Sequence, residues 1–217
     1  MFGFKQQVMM AEAGEECAAI QSTNFDPIPD IGNGYDGDYP VDHYWEYGIG
    51  CWIISSSEMG TAKQLTGLTL RAGRYSGSYA YSPENQYIKI AHTSDFSLPS
   101  GSMSPTGSGA ANLSMSNILS ITDETLVASG TFSIPNLSQY DYHTFSFNDS
   151  NFCYNGTDNI VIFWINNWGY YSSYREWWMV DDTSVGSNNR GATSKGIYSM
   201  PSSFSRDDIR PVTRFTY

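Results

Sequence analysis

Two strand patterns flank the turn cluster Tyr154-Asn155-Gly156-Thr157-Asp158-Asn159 within residues 140–164, YDYHTFSFNDSNFCYNGTDNIVIFW. At period two, His143, Phe145 and Phe147 share one side before the cluster, and Ile160, Ile162 and Trp164 share one side after it. A helix cannot use that spacing. The segment therefore reads as core strands of a β-sandwich and not as a catalytic motif.

The same pattern recurs along the chain. GCWIIS at 50–55 is a compact apolar run, and LTGLTLR at 65–71 sets Leu65, Leu68 and Leu70 among small polar residues, with a one-residue offset at Gly67. QYIKIAH at 86–92 and LVASGTFSI at 126–134 continue the series. Each run is short and bounded by Gly, Ser, Pro, Asn or Asp, as antiparallel strands are. Residues 94–120 are rich in Ser, Gly, Pro and Met and weak in periodicity, which predicts a long surface crossover with at most one helical turn. Such crossovers belong to Greek-key and jelly-roll sandwiches.

The expected fold is all-β: a jelly-roll-like antiparallel β-sandwich over residues 29–217, preceded by a short docking arm over 1–28. Residues 6–21 of the arm, rich in Ala, Glu and Met, favour a helix, and Asp26-Pro27-Ile28-Pro29 enforces extended geometry after it. A chain of 217 residues, 15% aromatic and 15% charged, suits one sandwich with a sizeable core.

Charge and hydropathy exclude several partners. The net charge is −11, from 22 acidic and 11 scattered basic residues, which argues against a nucleic-acid partner. No stretch approaches the roughly 20 apolar residues that span a bilayer, so membrane insertion is not expected. The first residues, MFGFKQQVMMAEAGEECAAIQ, lack a continuous apolar segment, and export through them is not expected either. Cys17, Cys51 and Cys153 have no metal-binding spacing and read as buried thiols. Whether Cys51 and Cys153 meet across the sandwich stays open.

Catalytic signals are weak. The chain has no HExxH, GxSxG, P-loop or GxGxxG. His143 lies on an inward-reading face, where a core histidine is the simpler assignment. Asp181-Asp182 and Asp207-Asp208 suit turns better than a carboxylate pair held across a cleft. The expectation is a non-enzymatic protein. Asp30, Asn33, Asp36, Asp38 and Asp42 place hard oxygen ligands among glycines, so structural calcium held by Asp36, Asp38 and Asp42 stands beside an Asx-rich turn as a reading of this loop. No other cofactor is expected.

An aromatic window from Trp164 to Trp178 supplies the strongest binding signal. Trp168, Tyr170, Tyr171, Tyr174, Trp177 and Trp178, with Arg175 among them, offer flat rings for stacking on sugar faces and a cation for hydrogen bonding. Asn166 and Asn167 lie beside them. Cross-strand packing or a protein interface would give the same composition, and both readings stay open. Trp164 itself belongs to the core strand.

Landmarks in sequence order carry a resemblance. They are Ile31-Gly32-Asn33-Gly34 followed by Tyr39-Pro40 and Tyr44, then Glu58-Met59 before LTGLTLRAG, YIKIAHTSDFS, LVASGTFSIP, the aromatic strand ending in Phe147, FCYNGTDNIVIFWINN, and Arg210-Pro211 with Arg214-Phe215. Over residues 30–217 the chain resembles a β-sandwich domain of Bacteroidetes surface and secreted proteins and of phage or prophage virion structural proteins. The bacterial members usually carry an export signal and further modules, which are not seen here. The resemblance thus implies a virion structural or adhesion protein made in the host cytoplasm: a head decoration, head fibre or tail appendage. The partners it implies are other virion proteins through the arm, further copies of itself as a homo-oligomer, and host surface glycans. A carbohydrate-binding or adhesin module at the bacterial cell surface is the alternative.

Overall fold

Runs of β-branched and aromatic residues broken by Gly, Pro and Asn become strands throughout this computed structural model, which describes residues 24–28, 35–37, 40, 45–73, 80–170, 178–181, 191–196, 198–207 and 210–217. In chain order the first are β1 (Asn24–Ile28), β2 (Tyr35–Gly37) and β3 (Tyr47–Ile54), followed by the one-turn helix α1 (Ser56–Met59). Next come β4 (Lys63–Leu65), β5 (Gly67–Arg71), β6 (Gln86–Thr93), β7 (Ser102–Met103) and β8 (Ile121–Gly130). Then follow β9 (Tyr142–Ser146), β10 (Phe152–Tyr154) and β11 (Asn159–Asn166). The last are β12 (Trp178–Asp181), β13 (Gly191–Gly196), β14 (Phe204–Asp207), β15 (Arg210–Pro211) and β16 (Thr213–Thr216).

All the strand pairs are antiparallel, and the fold is the expected all-β sandwich. A seven-stranded sheet runs β7-β14-β13-β3-β11-β6-β8, and a four-stranded sheet runs β1-β16-β5-β9. Sheet neighbours are mostly distant in sequence, the mark of jelly-roll-like crossovers. Two small sheets, β10-β4 and β15-β12-β2, complete the set. Asn24–Ile28, grouped with the arm by its prolines, pairs with β16 at the edge of the four-stranded sheet. Residues 1–23 of the arm lie outside the described residues.

The core between the two large sheets follows strand alternation. Trp52 and Ile54 of β3, Ile88 and Ile90 of β6, and Ile160, Ile162 and Trp164 of β11 meet Leu68, Leu70, Phe145 and Phe215. Phe145 stacks edge-on against Trp164 at 4.7 Å, and Phe132 does so at 5.6 Å.

Residues 159–166 depart from a one-sided pattern because every one of them is buried. The odd positions Val161, Phe163 and Ile165 point away from the sandwich core into a second apolar layer with Ile49, Cys51, Ile53 and Ala91. The crossover of residues 94–120 covers that layer. It is not the surface excursion its composition suggests, since Leu98, Met103, Leu113, Met115 and Leu119 are all buried there. Its single helical turn is a 3₁₀ turn at Ala110–Asn112. Buried Lys89 fixes it: Nζ donates to the Leu113 carbonyl at 2.7 Å and meets Glu124 at 3.0 Å. The other Glu124 oxygen accepts from Ser114 Oγ at 2.8 Å. Isolated leucines and methionines spaced along a polar segment carry no period, so sequence patterning misses them.

Other boundaries also differ from expectation. Residues 65–71 are not one strand; β4 pairs with β10 while β5 joins the four-stranded sheet, with Thr66 as the break. Residues 126–134 split at Gly130, whose φ of +107° ends β8, and Ile134 forms an isolated bridge to Tyr81. The polar start of β8, Ile121–Thr125, gives no apolar signal. Cys51 and Cys153 do not pair: Cys51 keeps a buried thiol, whereas Cys153 is exposed on β10 and disulfide-bonded.

One ion pair ties the small sheet β15-β12-β2 to the sandwich. Arg210 is 2% exposed; its Nη2 and Nη1 donate to the Glu58 carboxylate at 2.9 and 3.1 Å, and Nη1 also donates to the Ile53 carbonyl at 3.1 Å. The Glu58 carboxylate also accepts from the Ser55 N–H at 2.8 Å and from Ser55 Oγ at 2.7 Å. Burial works against the Glu58 charge, but the Arg210 hydrogen bonds and charge, with the Ser55 bonds, outweigh it and hold the carboxyl below its ordinary value.

Met115→Ala and Leu119→Ala each lower stability by about 2–5 kcal/mol in urea denaturation, as core truncations do, whereas surface positions would give under about 0.5 kcal/mol. Because Glu58 titrates lower when folded, its contribution is present above the ordinary value of 4.5 and is lost as pH falls through the folded value. Glu58→Gln lowers stability at neutral pH and flattens that acid limb, read by thermal melts between neutral and acidic pH.

Candidate ligand-binding surface

A buried chain of amides leads from the core to the rim of the seven-stranded sheet. The Trp164 indole N–H donates to Gln86 Oε1 at 3.0 Å, and Gln86 Nε2 donates to Asn166 Oδ1 at 2.6 Å and to the Glu84 carbonyl at 3.0 Å. Asn166 Nδ2 donates to the Trp45 carbonyl at 3.1 Å, and Asn166 Oδ1 also accepts from the Trp168 N–H at 3.2 Å. Gln86 and Asn166 are fully buried. A buried amide left without these partners would cost about 1–3 kcal/mol, so the chain fixes where β11 ends and how the next residues leave it.

The residues it launches are aromatic and outward-facing. Gly169 has φ +70°, which lets the chain reverse; its N–H donates to the Glu46 carbonyl at 2.9 Å. Trp168 is half-buried, with Tyr81 at 6.4 Å on one side and Tyr170 edge-on at 5.5 Å on the other. Tyr170 is 62% exposed. Glu46 joins a further ring to this rim, because its carboxylate accepts the Tyr198 N–H at 3.0 Å, and Tyr198 is 87% exposed with φ +70°. Large residues rarely hold positive φ, and Glu46 is what holds Tyr198 there. The result is a rim of exposed rings on a rigid base, suited to stacking against a flat, partly apolar ligand such as a pyranose.

The other expected binding residues fall differently. Tyr171, Tyr174, Arg175 and Trp177 lie outside the described residues. Trp178 opens β12, and backbone pairing sets it opposite Gly37 of β2, with Asp36 opposite Met179. The aromatic window and the acidic loop thus share one small sheet, a link sequence spacing does not show. Asp38 and Asp42, with Asp30 and Asn33, lie outside the described residues, so the calcium reading keeps only its backbone position at Asp36. Among the described residues, no three His, Cys, Asp or Glu side chains converge as metal ligands. Sequence reading did not single out Glu46, Tyr81, Gln86 and Tyr198, since each is a lone residue at a strand edge or turn.

The described histidines are held in packing roles. His92 is 3% exposed between Phe152 at 4.8 Å and Tyr154 at 5.8 Å. Its Nδ1 pairs with Asp123 at 2.7 Å and its Nε2 accepts the Asn155 N–H at 3.0 Å, so both nitrogens are engaged. His143 lies edge-on to Phe145 at 4.7 Å; burial pushes its imidazole below the ordinary value, against a Ser133 backbone hydrogen bond that raises it.

No protein-family model and no curated protein matches the chain. Among solved structures it is similar to the cysteine protease and lectin-like domains of Cwp84, a surface layer associated protein of Clostridium difficile. The likeness covers 79% of this chain and 32% of that one, at 8% identity and a TM-score of 0.38. The chain therefore spans about a third of that structure's length, and a likeness at this level carries no function across to it.

Proposed function

We propose that this chain is a non-enzymatic structural and adhesion protein of a phage particle that contacts glycans through its Trp168–Tyr170 rim. The observation that carries the reading is the rim itself: Tyr170 and Tyr198 are 62% and 87% exposed, beside a backbone held by Asn166 at Trp168 and by Glu46 at Gly169 and Tyr198. A folding core would bury such rings, and a soluble protein exposes a cluster of them at a cost that binding offsets. The engaged ring nitrogens of His92 fit a structural assignment for that residue better than a general base.

The disulfide at Cys153 supports service in an oxidising setting, which a released particle meets and the cytosol does not. The same observation suits the second reading, an adhesin or carbohydrate-binding module at a bacterial surface. In the phage reading the subunit is a head decoration, head fibre or tail appendage, docked by its N-terminal residues and assembled as several copies.

Mass spectrometry of purified particles, with copy number set against the major capsid protein, tests the setting: stoichiometric presence is expected, and absence moves the assignment to a cell surface. Glycan-array binding tests the rim. Trp168→Ala and Tyr170→Ala are expected to lower glycan affinity by about tenfold each while shifting stability little, because stacking contacts of this kind are worth about 1–2 kcal/mol. Unchanged array binding by folded variants removes the rim from the assignment.

A further inference from the structure

A second exposed aromatic group lies on a different sheet. On the four-stranded sheet, Leu68, Leu70, Phe145 and Phe215 face the core, so Thr69 and Arg71 of β5, Tyr142 and Thr144 of β9, and Arg214 of β16 face outward. Register sets Arg71 opposite Tyr142, and Thr69 between Arg214 and Thr144. The Arg71 guanidinium lies 4.7 Å from the Tyr140 ring centroid and 5.5 Å from that of Tyr142, and Arg214 lies 4.0 Å over Tyr142. Rings and cations alternate as Tyr140, Arg71, Tyr142, Arg214. Tyr140 and Tyr142 stay 46% and 38% exposed, and both arginines are half-buried.

Tyr140 is held where a tyrosine is strained. Its φ is +73°, a region that favours glycine, and it is kept there by its N–H to the Ala72 carbonyl at 2.8 Å and its own carbonyl to Arg71 Nε–H at 3.2 Å. Charge sharpens the point: in a chain of net charge −11, among the described basic side chains Lys63, Lys89 and Arg210 are buried, while Arg71 and Arg214 gather on this one face.

We propose that this face binds an acidic, uronate-bearing polysaccharide. A guanidinium set over a phenol ring is drawn to it by the ring's quadrupole, and the planar fork of arginine matches a carboxylate. Of the outward side chains of β5, β9 and β16, Thr69 is buried with its hydroxyl bonded to Thr144 at 2.7 Å, and Thr144, Ser146, Tyr142 and the two arginines reach the surface as a mix of hydroxyls, rings and cations. Hydroxyl-rich sheet, exposed rings and paired cations together fit a sugar chain that carries carboxylates. The site is separate from the Trp168–Tyr170 rim and does not rest on it.

Calorimetric titration of the full chain at physiological salt tests the assignment, with oligogalacturonate, its fully methyl-esterified form of equal length, and poly-glutamate as probes. The acid oligomer is expected to bind, with the neutral ester and poly-glutamate each about tenfold weaker or more, the scale of a lost charge-assisted contact. Arg71→Gln with Arg214→Gln removes the binding. Tyr140→Gly weakens it while thermal stability holds or rises, since glycine relieves the backbone strain. Trp168→Ala leaves it intact, so failure of the rim and failure of this face are told apart. Equal binding of the ester, equal binding of poly-glutamate, unchanged binding in folded Tyr140→Gly, or no binding of the acid oligomer overturns the proposal.

Discussion

The burial of β11 on both faces is the constraint on which the rest of the molecule depends. Asn159–Asn166 pairs with β3 on one side and β6 on the other, so its backbone is satisfied within the sheet. Its side chains then demand apolar cover above and below. The four-stranded sheet supplies one cover. No second sheet lies against the other face among the described residues, and residues 94–120 supply it with scattered leucines and methionines. Burying side chains of this size is worth about 1.5–3 kcal/mol each, which makes an otherwise polar crossover part of the core. Lys89 enters that layer only because Glu124 and the Leu113 carbonyl meet its charge.

The two candidate surfaces inherit their rigidity from the same frame. The Trp164, Gln86 and Asn166 side chains leave β11 and its neighbour β6 at the rim end and fix the Trp168 loop. On the other sheet, alternation along β5, β9 and β16 sends leucine and phenylalanine inward and arginine, threonine and tyrosine outward. Both surfaces use tyrosines at positive φ, Tyr140 held by the Ala72 carbonyl and Arg71, and Tyr198 held by the Glu46 carboxylate. Exposed rings cost little rotamer entropy to immobilise, so a prepared surface of this kind loses less on binding than one of long flexible chains.

Strand existence was legible in the sequence wherever apolar residues alternated or ran together, as at 50–55, 86–92 and 159–166. Both-sided burial of β11 was not, because period-two reading registers one face and counts the other as noise. The cover over the second layer was hidden for a related reason: Met103, Leu113, Met115 and Leu119 are spaced by loop geometry and not by a helical or strand period. At the rim, Trp168 and Tyr170 stood out as aromatics in a dense window, while Glu46 and Gln86 did not, since a lone polar residue gains its role only through partners distant in the chain. Arg71 and Arg214 are separated by most of the sequence and meet only through β16 pairing with β5.

Cys51 gives the second apolar layer its own clock. Burial raises its thiol far above the ordinary value, so the reactive thiolate is absent while the sheet and crossover stay closed. An alkylating reagent can label it only during openings of that layer, and Cys153, held in a disulfide, does not compete for the label. The rate of Cys51 labelling therefore reads how often the second apolar layer opens, whether locally or with the whole fold.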